Sequence, residues 1–411
     1  MSPAGRPPLA TMAAMFVGTA LAMIGNYYVY DSIGPVAELL SRELSFSNTQ
    51  IGTLNAVYSL PNIFMVLVGG VLVDRYSART VTLVTTLICL AGAVLTALGS
   101  EFVVMVAGRL LFGLGAETMI VAVMVALAQW FVGRYFALLF ALNLTFARLG
   151  SYLADRSPSF ASDLYAQGWQ PPLWLAAAFA AMSVGGAMVY WLADRRESAR
   201  GTLALAKPSD RIDWKNLLRF PGAYWLIVGI CVTFYSVIFP FRSTFSIKYF
   251  QEAHGLTLEA ASIMNSHVFL AAMFATPLFG LLVDRFGRHA LLLTAGALAL
   301  PLSFVMLASS SLNSATVLIG ISFSMVPAVL WPSVARYVSA GQLGTAFGLM
   351  TALQQLGVFV ANIAAGGLND LNGAGAGNPA GYDAMLWFFG LLSIAALVCA
   401  ALLLRRPALA N

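Results

Sequence analysis

Twelve runs of about twenty mostly apolar residues, parted by short polar loops, fill almost all of this 411-residue chain. Wound as an α-helix, a run of that length spans the ~30 Å hydrocarbon core of a bilayer. A backbone in that medium finds no water, so each run must satisfy its own N–H and C=O groups, which a helix does within one segment. The runs fall near 9–34, 48–73, 80–99, 102–131, 136–157 and 171–193, then 222–248, 258–283, 289–310, 315–338, 342–368 and 382–404. Little chain remains for a soluble domain. Composition agrees: 9% of the residues are charged, against about 25% in soluble domains. The first run is too long for a cleavable signal and lacks a small-residue cleavage site before a polar chain, so it is expected to stay. Cys89, Cys231 and Cys399 lie inside apolar runs without metal-ligand spacing and read as small hydrophobes.

One extended polar stretch, 194–220, interrupts the series with Arg195, Arg196, Arg200, Lys207, Arg211, Lys215 and Arg219. It predicts an N-terminal six-helix bundle over 1–193, an interdomain linker over 194–220 and a C-terminal bundle over 221–411. The net charge of +5 does not point to nucleic acid, because the basic residues sit mostly in loops between apolar runs. Arg75, Arg79, Arg134, Arg285, Arg288 and Arg336 share one side with the linker and with Arg405 and Arg406. The other side offers little beyond Arg42, Lys248 and Arg156. By the positive-inside rule both termini are cytoplasmic.

The chain also repeats itself. Gly70-Val-Leu-Val-Asp74-Arg75-Tyr-Ser-Ala-Arg79 recurs as Gly280-Leu-Leu-Val-Asp284-Arg285-Phe-Gly-Arg288, an offset of 210 (284 − 74). Each copy ends the second run of its half. Phe140 to Gly150 parallels Phe347 to Gly357 at an offset of 207 (347 − 140). Two such halves can expose one central site alternately to each side. The paired G-x-x-x-D-R segments resemble the loop signature of the major facilitator superfamily. That resemblance implies an all-α membrane protein of twelve transmembrane helices in two pseudo-symmetric six-helix bundles. Asp74, Arg75, Asp284, Arg285 and Arg288 then become candidates for the inner gate, since a carboxylate at a helix end can pair with a neighbouring arginine or helix N-terminus. Ser77-Ala78 depart from the usual Gly-Arg, which implies a weaker lock in the first copy.

Tyr28-Val-Tyr30-Asp31, Tyr58-Ser-Leu-Pro61-Asn62, Gly108-Arg109 through Glu117 and Ala147-Arg148-Leu-Gly150-Ser151 resemble the branch that contains lysosomal dipeptide uniporters. The resemblance implies that Glu117 and Arg148 hold the two charged ends of a dipeptide. The C-terminal half shows only the general superfamily pattern. Independently of any family, charge at membrane depth costs at least about 2.5–3.5 kcal/mol and marks function. Asp31, Arg109, Glu117, Arg148, Arg156 and Arg242 fall inside the runs. Glu117 and Arg148 lie near the middle of the fourth and fifth, where a carboxylate suits an ammonium and a guanidinium suits a carboxylate. They also suit each other, as a pair that only joins two helices. Arg109 is a third candidate for the substrate, or a buried arginine bonded to backbone carbonyls or to a neighbouring carboxylate. Asp31 and Arg242, 211 positions apart (242 − 31), occupy related places in the outer thirds of runs one and seven, and are expected to close an outer gate. Arg156 is a rival partner for Asp31. Tyr27, Tyr28, Tyr30, Phe234, Tyr235, Phe239 and Trp331 are the aromatics placed to line a cavity; Tyr28, Tyr235 and Trp331 are taken as substrate contacts. His267, near the middle of run eight, is titratable, though a lone buried histidine usually serves packing.

An intramembrane enzyme would need a nucleophile and base or a metal cluster, and three histidines, two of them at loops, do not make one. The glycine-rich stretch 372–379 lacks a following Lys-Ser/Thr and is a turn, which speaks against ATP-driven transport. The expectation is a secondary transporter of a small zwitterion, first a dipeptide, working by facilitated uniport. A proton-coupled carrier of a monocarboxylate or other small organic anion is the alternative. The chain is expected to act as a monomer in the inner cell membrane among its lipids, without cofactor, metal or nucleic acid.

Overall fold

The computed structural model describes residues 7–131, 136–200, 220–286, 289–339 and 342–405. Most of the expected linker, 201–219, lies outside the described residues. The helices are α1 (Leu9–Leu44), α2 (Asn48–Tyr76), α3 (Ala78–Leu98), α4 (Phe102–Trp130), α5 (Phe136–Phe160) and α6 (Gln170–Ala199). After the linker come α7 (Gly222–His254), α8 (Leu258–Phe286), α9 (His289–Ala308), α10 (Leu312–Val334), α11 (Leu343–Leu371) and α12 (Asp383–Leu403). Among the described residues, ten helices are long and apolar enough to cross a membrane. The count is eleven if Asn48–Met65 and Val68–Tyr76 form one bent span. Several helices outrun their expected boundaries, α6 among them, which reaches Ala199 where the run ends at 193. α1 continues beyond residue 34 to Leu44, and α7 continues beyond 248 to His254. Both extensions carry charges, such as Glu38 and Arg42, or Glu252, which an apolar-run criterion excludes but an interfacial helix accepts.

The chain packs as two compact units. The first comprises the described parts of Met1–Ser32, Leu60–Ala154 and Asp163–Ser209. Within it α1 packs on α6, α3 on α4, and α3 on α6. The α1–α6 crossing is close because glycine faces glycine: a Cβ at Gly18 would lie 2.6 Å from the Gly186 carbonyl oxygen, and one at Gly186 would lie 2.5 Å from that of Gly18. Lipid-embedded helices rely on such small-residue contacts, since lipid is as apolar as leucine and supplies little hydrophobic drive.

The second unit comprises Ile33–Ser59, Asp155–Ser162 and the described part of Asp210–Asn411. Its core repeats the first: α7 packs on α12, α9 on α10, and α9 on α12. The leading helices also break at matching places. α1 loses helical form at Ser32, whereas α7 passes through a π-helical turn at Phe241–Phe245, with Ser243 at an offset of 211 (243 − 32). A π-turn leaves a helix with an extra residue and is commonly found at functional positions.

Candidate substrate site and outer lock

In the first unit, backbone registers fix the depth of the charges. Arg109 of α4 is 1% exposed; its Nη1 donates to the Val29 carbonyl at 2.9 Å and its Nη2 to that of Tyr30 at 3.0 Å. Its guanidinium also lies 5.3 Å from the Phe112 ring centre. Both ends of the fork therefore bracket α4 to α1, and the expectation that Arg109 meets substrate is revised in favour of the carbonyl-bonded alternative. α4 runs antiparallel to α1. Glu117, eight residues beyond Arg109, therefore lies roughly 12 Å further inward at about 1.5 Å per residue, near the level of Ala22. α5 runs parallel to α1, and the backbone of Gly150 abuts that of Ile24: a Cβ at Gly150 would sit 2.2 Å from the Ile24 carbonyl oxygen. Arg148, two residues earlier, thus reaches the same level. Glu117 and Arg148 are both half-buried.

The tyrosines of α1 sort by rotation about the helix. Tyr28 is buried and stacks on Phe179 of α6, with ring centres 3.7 Å apart and planes 4° apart. Tyr28 is one of the expected substrate contacts, and the stack occupies one face of its ring. Tyr27, one residue and about 100° around, is half-buried, and its phenol lies within electrostatic reach of Glu117, Asp31 and Arg148. Asp31 itself is buried at the end of the α1 segment that holds Tyr27.

At the inner end, Asp74 and Arg75 are exposed, and the Arg75 guanidinium stands 5.3 Å from the Tyr76 ring centre. Arg285 is exposed; Arg134, Arg288 and the side chain of Asp284 lie outside the described residues. Asp194 of α6, which no sequence signal singles out, accepts from Arg79 Nη1 at 3.2 Å, from the Trp130 indole N–H at 2.8 Å and from Ser198 Oγ at 3.3 Å. Three elements therefore converge on one buried carboxylate.

In the second unit, Trp331 of α10 donates its indole N–H to the Tyr235 hydroxyl of α7 at 3.2 Å. Tyr235 stacks with Phe239 at 5.5 Å, and both meet Phe323 edge-on. Tyr235 is buried and Trp331 half-buried, so they form an aromatic, uncharged wall.

The same unit holds a polar knot around the π-turn. Arg242, 1% exposed, pairs with Asp155 of α5 and lies 3.9 Å from the Phe269 ring centre. Asn265 of α8 donates to Asp155 at 3.0 Å and to the Arg242 carbonyl at 3.1 Å, and accepts from Ser246 at 2.7 Å. Asn55 of α2 donates to the Ser243 carbonyl at 3.0 Å and to Thr244 Oγ1 at 2.8 Å; Thr244 donates on to Asn362 of α11 at 2.8 Å. Asp155, beside Arg156 in the expected run 136–157, is not among the residues singled out from the sequence. Further out, Asp370 of α11 caps the start of α2, accepting from the Asn48 and Thr49 N–H groups at 2.8 Å each and from both side chains. Lys248 of α7 adds bonds to Asn48 at 2.9 Å and to Glu252 at 2.8 Å. A helix N-terminus exposes unsatisfied donors and favours an anion, so Asp370→Ala is expected to cost about 1 kcal/mol. The check is thermal melting in detergent, where a fall of a few degrees is expected; an unchanged melting temperature would show that the cap contributes nothing.

Comparison with known proteins adds the lineage. The model of the Major Facilitator Superfamily matches residues 15–264 and 239–411. The lysosomal dipeptide transporter MFSD1 of Danio rerio is 33% identical over 363 residues, covering 85% of this chain and 78% of that protein. The Homo sapiens protein of the same name is 31% identical with the same coverage. A probable sulfoacetate transporter, SauU of Cupriavidus necator, is 23% identical over 346 residues, 78% of each chain. In fold, the chain resembles a point mutant of the nucleoside transporter NupG, with TM-score 0.76, 14% identity and coverage of 95% and 99%. It equally resembles a bacterial homolog of the human lysosomal transporter Spinster, with TM-score 0.75, 13% identity and 97% coverage of both chains. A helical repeat with matched breaks, charges held at one depth inside the first unit, and a family match over nearly the whole length lead to one assignment: this chain is a transporter of the major facilitator superfamily.

Proposed function

We infer that the chain carries small zwitterions, dipeptides first among them, by alternating access and without coupling to an ion gradient. The observation that carries this reading is the common depth of Glu117 and Arg148, with Tyr27 in reach of both charges. Glu117 takes the solute's ammonium, and Arg148 takes its carboxylate through two parallel N–H bonds. The names of the relatives at 31–33% identity support the same solute class. Tyr235 and Trp331 of the second unit are candidates for contact with the solute's side chains, which an aromatic surface takes without regard to their identity. The Asp155–Arg242 knot closes the outer side, and the exposed Asp74–Arg75 and Arg285 segments belong to the inner gate. Both termini face the cytoplasm, and the membrane is the inner cell membrane.

Uniport is part of the same reading: a symporter needs a buried acid that changes protonation when solute leaves, whereas Glu117 is assigned here to the solute's ammonium. Proteoliposomes with an entrapped pH dye should therefore show dipeptide entry without acidification; acidification in step with uptake would establish symport. The organic-anion alternative loses support from Arg109, whose guanidinium is bonded to α1 carbonyls. A thermal-shift panel of dipeptides, amino acids and organic acids separates the readings: dipeptides should stabilise the protein and monocarboxylates should not.

A further inference from the structure

We propose that the Tyr27 hydroxyl reads the peptide bond of the solute, donating to its carbonyl oxygen and making the site selective for peptides over other zwitterions of equal length. The inference rests on the dipeptide reading of Glu117 and Arg148, and it assigns what lies between them. Tyr27 stands on α1 five residues outward of Ala22, the level shared by the two charges. Helical side chains slant back toward the helix N-terminus, which in α1 is the inner end, so the phenol leans from residue 27 toward that level. The phenol lies within electrostatic reach of Glu117, Asp31 and Arg148. The neighbouring α1 side chains are turned elsewhere: Tyr28 onto Phe179 of α6, and Asn26 toward Cys89 of α3, whose thiol donates to it at 3.7 Å. Tyr27 is half-buried. A phenol at this depth offers a hydrogen-bond donor, and the middle of a dipeptide presents a carbonyl to meet it.

Two charged groups alone cannot tell a dipeptide from any chain of the same length bearing an ammonium and a carboxylate. Glycylglycine and 5-aminopentanoate make the comparison, since they place the same number of bonds between the two charged ends and differ in the amide. A site that hydrogen-bonds a solute group discriminates against analogues lacking it, because the site's own polar group is then left unpaired.

The experiment measures binding of both compounds to purified protein, wild type and Tyr27→Phe, with the melting temperature as a check on folding. Wild type should prefer glycylglycine by roughly tenfold or more, the size of one net hydrogen bond. Tyr27→Phe should weaken glycylglycine by about that factor, leave 5-aminopentanoate unchanged and bring the preference close to one. Tyr27→Trp, which keeps an aromatic body but moves the donor, should fail to restore it. An intact preference in Tyr27→Phe, or equal weakening of both compounds, would overturn the role of Tyr27 while leaving the charged pair in place. Failure of both compounds to bind wild type would overturn the dipeptide reading, and this inference with it.

Discussion

Glu117→Gln and Arg148→Ala are each expected to lower dipeptide uptake by about 10²–10³-fold, while the melting temperature in detergent stays within a few degrees of wild type. The size follows from what each substitution leaves behind. A solute ammonium or carboxylate drawn to membrane depth loses its water, and an unmatched charge there costs several kcal/mol. Stability should hardly move, because both side chains are only half-buried. Arg109→Ala serves as a contrast, since it removes the bracket on Val29 and Tyr30 and should lower the melting temperature clearly. Initial rates in proteoliposomes, paired with melting curves, decide the matter. Wild-type rates in either site variant would remove the charged pair from the mechanism.

The second large effect lies at the knot. Asp155→Ala deprives a buried Arg242 of the carboxylate it holds in the native protein, which should cost roughly 3–5 kcal/mol. Because the pair joins α5 to the π-turn of α7, the loss should fall on the state in which those helix ends meet. Uptake should drop at least tenfold and the melting temperature should fall with it. Replacing both partners with apolar residues, as in Asp155→Leu with Arg242→Met, should recover most of the melting temperature, since a buried pair and well-packed apolar side chains are often similar in stability. Transport need not return with it, because two apolar side chains in contact gain nothing from water when they part. Additive effects of the two single substitutions in a double-mutant cycle would contradict a coupled pair.

The sequence carried the architecture well, for reasons specific to membranes. Apolar runs must be helices there, and the recurrence of Gly70 to Arg79 at Gly280 to Arg288 pointed to a repeat within the chain. Burial of charge at depth made Glu117, Arg148, Arg109 and Arg242 visible without any structure. Facing direction was much less visible. Tyr27 and Tyr28 are adjacent and chemically identical, and only packing on Phe179 decides which of them turns away. Asp194 was hidden by position, since a carboxylate at the start of the expected linker looks like a loop charge until an arginine partner closes on it, and Asp155 was passed over beside Arg156. Asp370 caps a helix that begins 322 residues away, and no local pattern in either segment announces such a bond.

In the mechanism inferred above, one site holds both charged ends of one small molecule. Counterflow of labelled dialanine in proteoliposomes, competed by free dialanine and by dialanine acetylated at its amine and amidated at its carboxyl, tests that claim most directly. The free peptide should abolish counterflow, each single cap should weaken competition by at least tenfold, and the doubly capped peptide should neither compete nor be carried. A doubly capped peptide that competes and crosses as well as the free one would contradict the claim.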